Sequence, residues 1–198
     1  LEYKSIIRTD CCIMKKLLSI IVLGLLWFNP LFSDEYDWKK IVKKNTPNIN
    51  LYLGDDLQEK TKKPLFDKLI KNMKLSHQMP MIDDKNYFLK AGCKVHSCPE
   101  KGVVWIDKNK EIFVGLVIHK YFEDIPVNEN ISWFDIPIDY LFFSSSIESF
   151  DDIPKQFWID FKKLETLMSP YGYGNPEKTR FIGKSNTAKD VTNKYLNK

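Results

Sequence analysis

A short loop bounded by two cysteines holds the side chains best suited to chemistry in this chain. It spans residues 93–98, with the sequence Cys-Lys-Val-His-Ser-Cys, so four residues separate the cysteines and a histidine lies between them. Paired cysteines would close the loop into a small ring. A neutral imidazole offers one hydrogen-bond donor and one acceptor. We therefore take this loop as the candidate functional element, with His96 as the group it presents.

A metal site is one alternative use of the same residues. Cys93, His96 and Cys98 could act as ligands, joined by His77 or His119. The C-x2-H-x-C spacing is too short for three ligands to converge easily on one tetrahedral ion. A redox role fits less well, because redox-active pairs have the C-x2-C spacing. We expect no metal and no cofactor, while a structural disulfide beside an incidental histidine remains open.

The N-terminal residues predict export, which bears on the state of the cysteines. Met14 and the basic pair Lys15-Lys16 precede a 12-residue apolar run, Leu17 to Phe28, and the small residue Ser33 follows shortly after. This is the layout of a secretory signal peptide, and the run is shorter than the roughly 20 residues of a membrane-spanning helix. Cleavage after Ser33 would give a periplasmic protein without a membrane anchor. The two loop cysteines would then be its only cysteines, which favours their pairing.

Length and charge indicate a single domain that does not bind nucleic acid. The 198 residues are 43% hydrophobic, enough for one sizeable core. Lys+Arg number 30 and Asp+Glu 26, without the clustering that a nucleic-acid-binding surface would need. We expect residues 1–33 to be upstream residues and a signal peptide, residues 34–168 to form the domain, and residues 169–198 to be a partly ordered tail.

Hydrophobic periodicity predicts both helices and strands. One helix begins after Pro64, and a second, over residues 154–168, has a stripe of apolar side chains that we assign to the core. Strands are expected near residues 87–89, 103–106, 112–118, 131–134 and 138–143, with Asn109 in a left-handed conformation in a hairpin turn. The strand at 112–118 is apolar on both faces and needs cover on both. The predicted fold is α+β, a central antiparallel sheet flanked by helices on both faces, in a three-layer α/β/α sandwich.

The loop and its neighbouring strands resemble the inhibitor of vertebrate lysozyme (Ivy) family. The likeness lies in residues 87–98, Tyr-Phe-Leu-Lys-Ala-Gly-Cys-Lys-Val-His-Ser-Cys, and in Val104-Trp105 and Gly115-Leu116. Family members carry a C-K-P-H-D-C loop after one strand and before a V-x-W strand and a G-L strand. The likeness covers about residues 65–121. Val95 and Ser97 stand where the family has proline and aspartate.

The resemblance implies a periplasmic inhibitor of c-type lysozymes that is not an enzyme and has no catalytic residues. Its loop would enter the lysozyme active site and place His96 against the two catalytic carboxyl groups. The family also implies a homodimer. The site residues that the resemblance implies are Lys94, Val95, His96 and Ser97 in the inhibitory loop, with Cys93 and Cys98 in the disulfide.

Two further expectations concern the target. Lysozymes are typically basic, so attraction at long range would need acidic residues near the loop, and the candidates are Glu100, Asp83 and Asp84. The alternative hypothesis is a periplasmic binding module that uses the same loop on another peptidoglycan-cleaving enzyme, or on a glycan. A third is an enzyme that uses His96 or a metal.

Overall fold

A seven-stranded sheet dominates the part of the chain that the structure describes. The computed structural model describes residues 37–51, 63–75, 81–95, 97–120, 138–168 and 176–198. The chain divides into two units, residues 1–38 and 39–198, and the sheet lies in the second. The expected signal peptide and the predicted strand at 131–134 lie outside the described residues.

The described elements are four α-helices of 4 to 14 residues, one 3-10 turn and nine strands of two to eleven residues. In chain order they are α1 (Trp38–Asn45), β1 (Asn50–Leu51), β2 (Lys63–Pro64), α2 (Leu65–Lys71), β3 (Met81–Asp83), β4 (Tyr87–Lys94), β5 (Ser97–Asp107), β6 (Ile112–Lys120), β7 (Ile138–Phe143), a 3-10 turn (Phe150–Asp152), α3 (Lys155–Met168), β8 (Lys178–Ile182), β9 (Ala188–Asp190) and α4 (Thr192–Tyr195). Strands β1 and β2 form a separate small sheet. The α+β class predicted from the sequence is confirmed.

The large sheet is mixed and not antiparallel throughout as predicted. Its spatial order is β3-β4-β5-β6-β7-β8-β9, which is also the chain order. Every neighbouring pair is antiparallel except β7 and β8, which run parallel. The connection between these two strands contains helix α3, and such a crossover returns the chain to the end from which β7 started. Strand β8 therefore runs in the same direction as β7.

The hairpin turn between β5 and β6 differs from the prediction in one residue. The carboxylate of Asp107 accepts hydrogen bonds from the backbone N–H groups of Asn109 and Lys110. These two bonds fix the first part of the turn. The left-handed conformation falls on Glu111, with φ 53°, and not on Asn109.

The C-terminal residues belong to the sheet, whereas the sequence indicated a partly ordered tail from residue 169. Strands β8 and β9 add two positions to the sheet, and Phe181 and Ile182 are buried. The ring of Tyr195 contacts the rings of Tyr140 and Phe142, at centroid distances of 5.7 and 5.8 Å. Apolar side chains after residue 176 therefore contribute to the core.

Helix α3 supplies several aromatic side chains to that core. Its predicted stripe is buried at Phe157, Phe161 and Leu164, as expected. Phe157 meets Trp105 edge to face at 5.9 Å and lies 6.0 Å from Phe142. We call Trp105, Phe142, Phe157, Trp158 and Phe161 the aromatic cluster.

Candidate functional site

The predicted loop is the end of a long β-hairpin. Strands β4 and β5 pair from Tyr87 with Asp107 to Lys94 with Ser97. Only two residues, Val95 and His96, therefore connect the last pair. Val95 is 37% exposed, one of the few large apolar side chains described as exposed. His96 itself lies outside the described residues, so the position of its imidazole stays a prediction.

Cys93 lies at the inner end of this tip. Its side chain is fully buried in the same hydrophobic core as Trp105. Because Lys94 pairs with Ser97, Cys93 and Cys98 each lie one residue farther from the tip on neighbouring strands. The side chain of Cys98 is outside the described ones, so its pairing with Cys93 stays a prediction.

The hairpin register changes between Cys93 and Lys94. Cys93 pairs with Lys101, but Lys94 pairs with Ser97, so residues 98–100 oppose a single step on β4. Such a bulge bends the strand and redirects side chains near it. Glu100 is the last residue of this bulge and is fully buried.

Two paired glycines let the end of α2 lie directly against the hairpin. Gly92 is opposite Gly102 in the register of β4 and β5. A Cβ atom on Gly92 would lie 2.7 Å from Met73 Cα, and one on Gly102 would lie 2.7 Å from Met73 Cγ. Both distances are too short for real side chains, so only glycine fits at this close approach of two segments of chain.

Hydrogen bonds from the same segment fix the hairpin backbone. The N–H of Leu75 donates to the carbonyl of Cys93 at 3.2 Å. The side-chain amide of Asn72 donates to the carbonyl of Lys101, also at 3.2 Å. These bonds reach the two residues that face each other just before the bulge. The base of the tip is therefore held through its main chain.

A buried ion-pair cluster lies beside these bonds. The Nζ atoms of Lys68 and Lys94 lie 3.4 and 3.2 Å from the same carboxylate oxygen of Glu100. The side chains of Lys68 and Glu100 are 0% exposed and that of Lys94 is 14% exposed. We call these three residues the Glu100 cluster. The ammonium group of Lys94, a predicted flanking contact, is directed back toward α2, and its role at a target stays a prediction.

The expected acidic residues near the loop are not available there. Glu100 is buried in its cluster. Asp83 pairs with Lys108, and Asp84 accepts hydrogen bonds from the backbone of Tyr87 and of Asn86, which lower its pKa. Both aspartates lie at the Tyr87 end of β4, about 20 Å from the tip at roughly 3.3 Å per residue. Glu100 therefore lies beside the loop but is buried, and none of the three named candidates offers an exposed carboxylate there.

Other buried titratable groups lie on the sheet near the hairpin. Lys101 lies opposite Cys93, and burial lowers its pKa to about 8. Asp139 pairs with Arg180 at 2.6 Å, and burial raises the pKa of Asp139 to about 6 against the opposing effect of the guanidinium. His119 is buried on the strand beside Asp139.

The alternatives of a metal site and of a membrane-spanning helix can be compared with the described part of the chain. Within the described ranges, no group of three or more histidine, cysteine or acidic side chains could hold a metal ion. His77, one of the proposed ligands, lies outside those ranges. None of the described helices is long and apolar enough to cross a membrane.

Comparison with known proteins adds no relative. No family model matches the chain, and no curated protein or solved structure matches it. The Ivy resemblance therefore remains a prediction based on the loop motif and its flanking strands.

The Glu100 cluster is the part of the site that the sequence analysis missed. Lys68 and Glu100 are 32 positions apart, so no local pattern connects them. One signal was available. Glu100 lies a few residues before the predicted strand at 103–106, whose apolar residues indicate burial, and a charged side chain that is buried needs a partner.

Proposed function

We propose that this protein is a periplasmic inhibitor of a c-type lysozyme, and that it inserts the hairpin tip at residues 94–97 into the active-site cleft of its target. The observation that carries the proposal is a two-residue connection with exposed Val95, at the end of a hairpin whose base is buried and hydrogen-bonded to the segment just after α2. A narrow projection of this kind fits a cleft. A fixed conformation before binding lowers the ordering cost of association.

The imidazole of His96 supplies the chemistry of the proposed contact. The two carboxyl groups of a retaining glycosidase lie roughly 5 Å apart, and in lysozyme one is protonated while the other is ionised. A neutral imidazole between them would accept from the acid and donate to the carboxylate, with hydrogen bonds of about 2.8 Å. Both catalytic groups would then be occupied at once. Val95 and Ser97 would contact the walls of the cleft.

Export and oligomeric state belong to the same proposal. The signal peptide ends at Ser33, and the mature chain carries the Cys93–Cys98 disulfide in the oxidising periplasm. The resemblance adds a homodimer, and the protein performs no reaction of its own.

The three-layer arrangement is proposed from strand alternation. A Cβ on Gly102 would point toward the segment of α2 that contains Leu69, whereas Trp105 packs against Phe157 of α3. Positions three apart in a strand point to opposite faces of the sheet. This difference supports helices on both faces of the sheet.

The test is an inhibition titration against a c-type lysozyme. His96→Ala should weaken inhibition roughly 30-fold or more, which corresponds to about 2 kcal/mol for a central contact residue. The melting temperature should not change, because the tip contributes little to the core. Lys189→Ala, on exposed strand β9, is the matched control and should inhibit like the wild type. Equal inhibition by His96→Ala would reject the mechanism. If the protein inhibits only a different peptidoglycan-cleaving enzyme, that enzyme would replace c-type lysozyme as the proposed target.

A further inference from the structure

Near the tip, side chains on the two faces of β4 make different kinds of contact. Cys93 and Lys94 are consecutive in β4, so their side chains leave the strand in opposite directions. Cys93 is buried in the core that contains Trp105. Lys94 instead reaches Glu100, which also binds Lys68 of α2. The proposed disulfide and the Glu100 cluster are therefore separate constraints on one segment.

Burial makes it costly to separate the members of the Glu100 cluster. Removing one partner from a buried ion pair leaves an uncompensated charge and is strongly destabilising. Both lysines approach the same oxygen of Glu100, and its other carboxylate oxygen has no hydrogen-bond partner within the described ranges. If Lys94 moved away, Glu100 would lose one of the two ion pairs described for it and would keep the pair with Lys68. The carboxylate thus links the tip strand to α2.

We propose that Glu100 is a positioning residue that fixes the hairpin tip through Lys94, independently of the disulfide. Its buried carboxylate cannot reach a target, so any effect of Glu100 on binding passes through the tip. Reduction of the disulfide alone then leaves the tip ordered. The predicted effect on inhibition rests on the proposed function, but the effect on tip order does not.

The first experiment measures tip order in the free protein by amide hydrogen exchange, without any target. Lys94→Met should speed exchange of the amides at residues 94–98 about tenfold and leave the exchange of β6 unchanged. Lys90→Met is the matched control, because Lys90 lies on the same strand and the same face, four residues earlier. Its tip amides should exchange as in the wild type.

The second experiment removes the cluster without leaving a buried charge. The double variant Lys68→Met with Glu100→Met replaces both members of the buried pair by apolar side chains of similar length, a change that is often neutral for folding. Its tip amides should exchange at least as fast as those of Lys94→Met. Lysozyme inhibition should weaken about tenfold in the oxidised protein, and further after addition of reductant. Wild-type inhibition should change less than about threefold on reduction.

The outcomes separate the two proposals. Wild-type exchange at the tip in both Lys94→Met and the double variant would overturn the role of Glu100. Full release of the wild-type tip by reductant would also overturn it. Faster exchange in these variants, in a protein that inhibits no c-type lysozyme, would support the role of Glu100 and reject the proposed function alone.

Discussion

The aromatic cluster and the base of the hairpin are built from opposite kinds of contact. In the cluster, large rings meet mostly edge to face, at centroid distances such as 4.9 Å for Phe157 with Trp158 and 6.0 Å for Phe142 with Phe161. At the hairpin base, two glycines admit the chain after α2, and single hydrogen bonds and ion pairs fix particular atoms. Ring packing buries much apolar area with weak directional preference. Close backbone contact and buried charge bury less area but define position.

This difference suggests that stability and tip position can be changed separately. Substitutions in the aromatic cluster should lower the free energy of unfolding and leave inhibition by the folded protein intact. Substitutions at the hairpin base should alter the tip at a smaller cost in stability. The three predictions below test this division, from the largest expected effect to the smallest.

Phe157→Ala should cause the largest loss of stability. Phe157 is fully buried and its ring stacks on that of Phe161 at 5.5 Å. Truncating a buried phenylalanine removes apolar contacts and leaves a cavity, which lowers the free energy of unfolding by about 4 kcal/mol. Urea denaturation measures this change. Ile159→Ala, on the exposed side of the same helix with 41% exposure, should change it by less than about 1 kcal/mol. Similar losses in the two variants would contradict the assignment of stability to the cluster.

The buried carboxyl group of Asp139 should make the free energy of unfolding depend on pH. The folded pKa of Asp139 is about 6, above its ordinary value of 3.8, chiefly because of burial. A raised carboxyl pKa means that the folded state keeps a proton that the unfolded state has lost. The contribution of Asp139 is therefore fully present below about pH 4 and is lost as the pH rises to about 6. One pKa unit is about 1.4 kcal/mol, so the loss is at most about 3 kcal/mol.

Urea denaturation of the wild type and Asp139→Asn between pH 4 and pH 7 checks this prediction. The wild type should lose stability relative to Asp139→Asn as the pH rises, with a constant difference above about pH 7. Asp190→Asn is the control, because hydrogen bonds from Thr192 lower the pKa of Asp190, so its difference from the wild type should stay nearly constant from pH 4 to pH 7. A difference between wild type and Asp139→Asn that does not vary with pH would show that burial does not control this carboxyl.

Gly92→Ala should cause a smaller loss of stability but disturb the tip. The added Cβ would lie 2.7 Å from Met73 Cα and 2.9 Å from Met73 O, which are backbone atoms and cannot turn away. Overpacking of this kind lowers the free energy of unfolding by about 2 kcal/mol. It also displaces the Leu75–Cys93 hydrogen bond, so lysozyme inhibition should weaken. Chemical denaturation and an inhibition titration measure the two effects. A large loss of stability with unchanged inhibition by the folded protein would contradict the assignment of tip position to the hairpin base.

Local patterns accounted for the elements that flank the site. The apolar stripe of residues 154–168 predicted helix α3 and its buried face, because each turn of a helix returns the same face to the core. The two strands around the loop followed from short apolar runs and turn residues. The position of the loop between them followed as well, since two antiparallel strands joined by a few residues form a hairpin.

Other features escaped the sequence because they depend on contacts between distant residues. The end of the domain was placed at Met168, since nothing local shows that Phe181 completes a core built by α3 and β7. The parallel pairing of β7 with β8 depends on the path of the chain through α3. The buried ion pair at the hairpin base depends on Glu100 meeting a lysine 32 residues earlier.

The sequence by itself determined the hairpin with its two cysteines, the helix α3 and the α+β class, because each of these follows from side-chain types at short and regular spacing. Only the tertiary structure decided that Gly92 faces Gly102, that β5 bulges at residues 98–100 and that Glu100 lies between two lysines. The physical reason is that register, bulges and buried charge pairs form only when α2 packs against the hairpin. Their energies depend on the distance between segments that the order of residues does not specify.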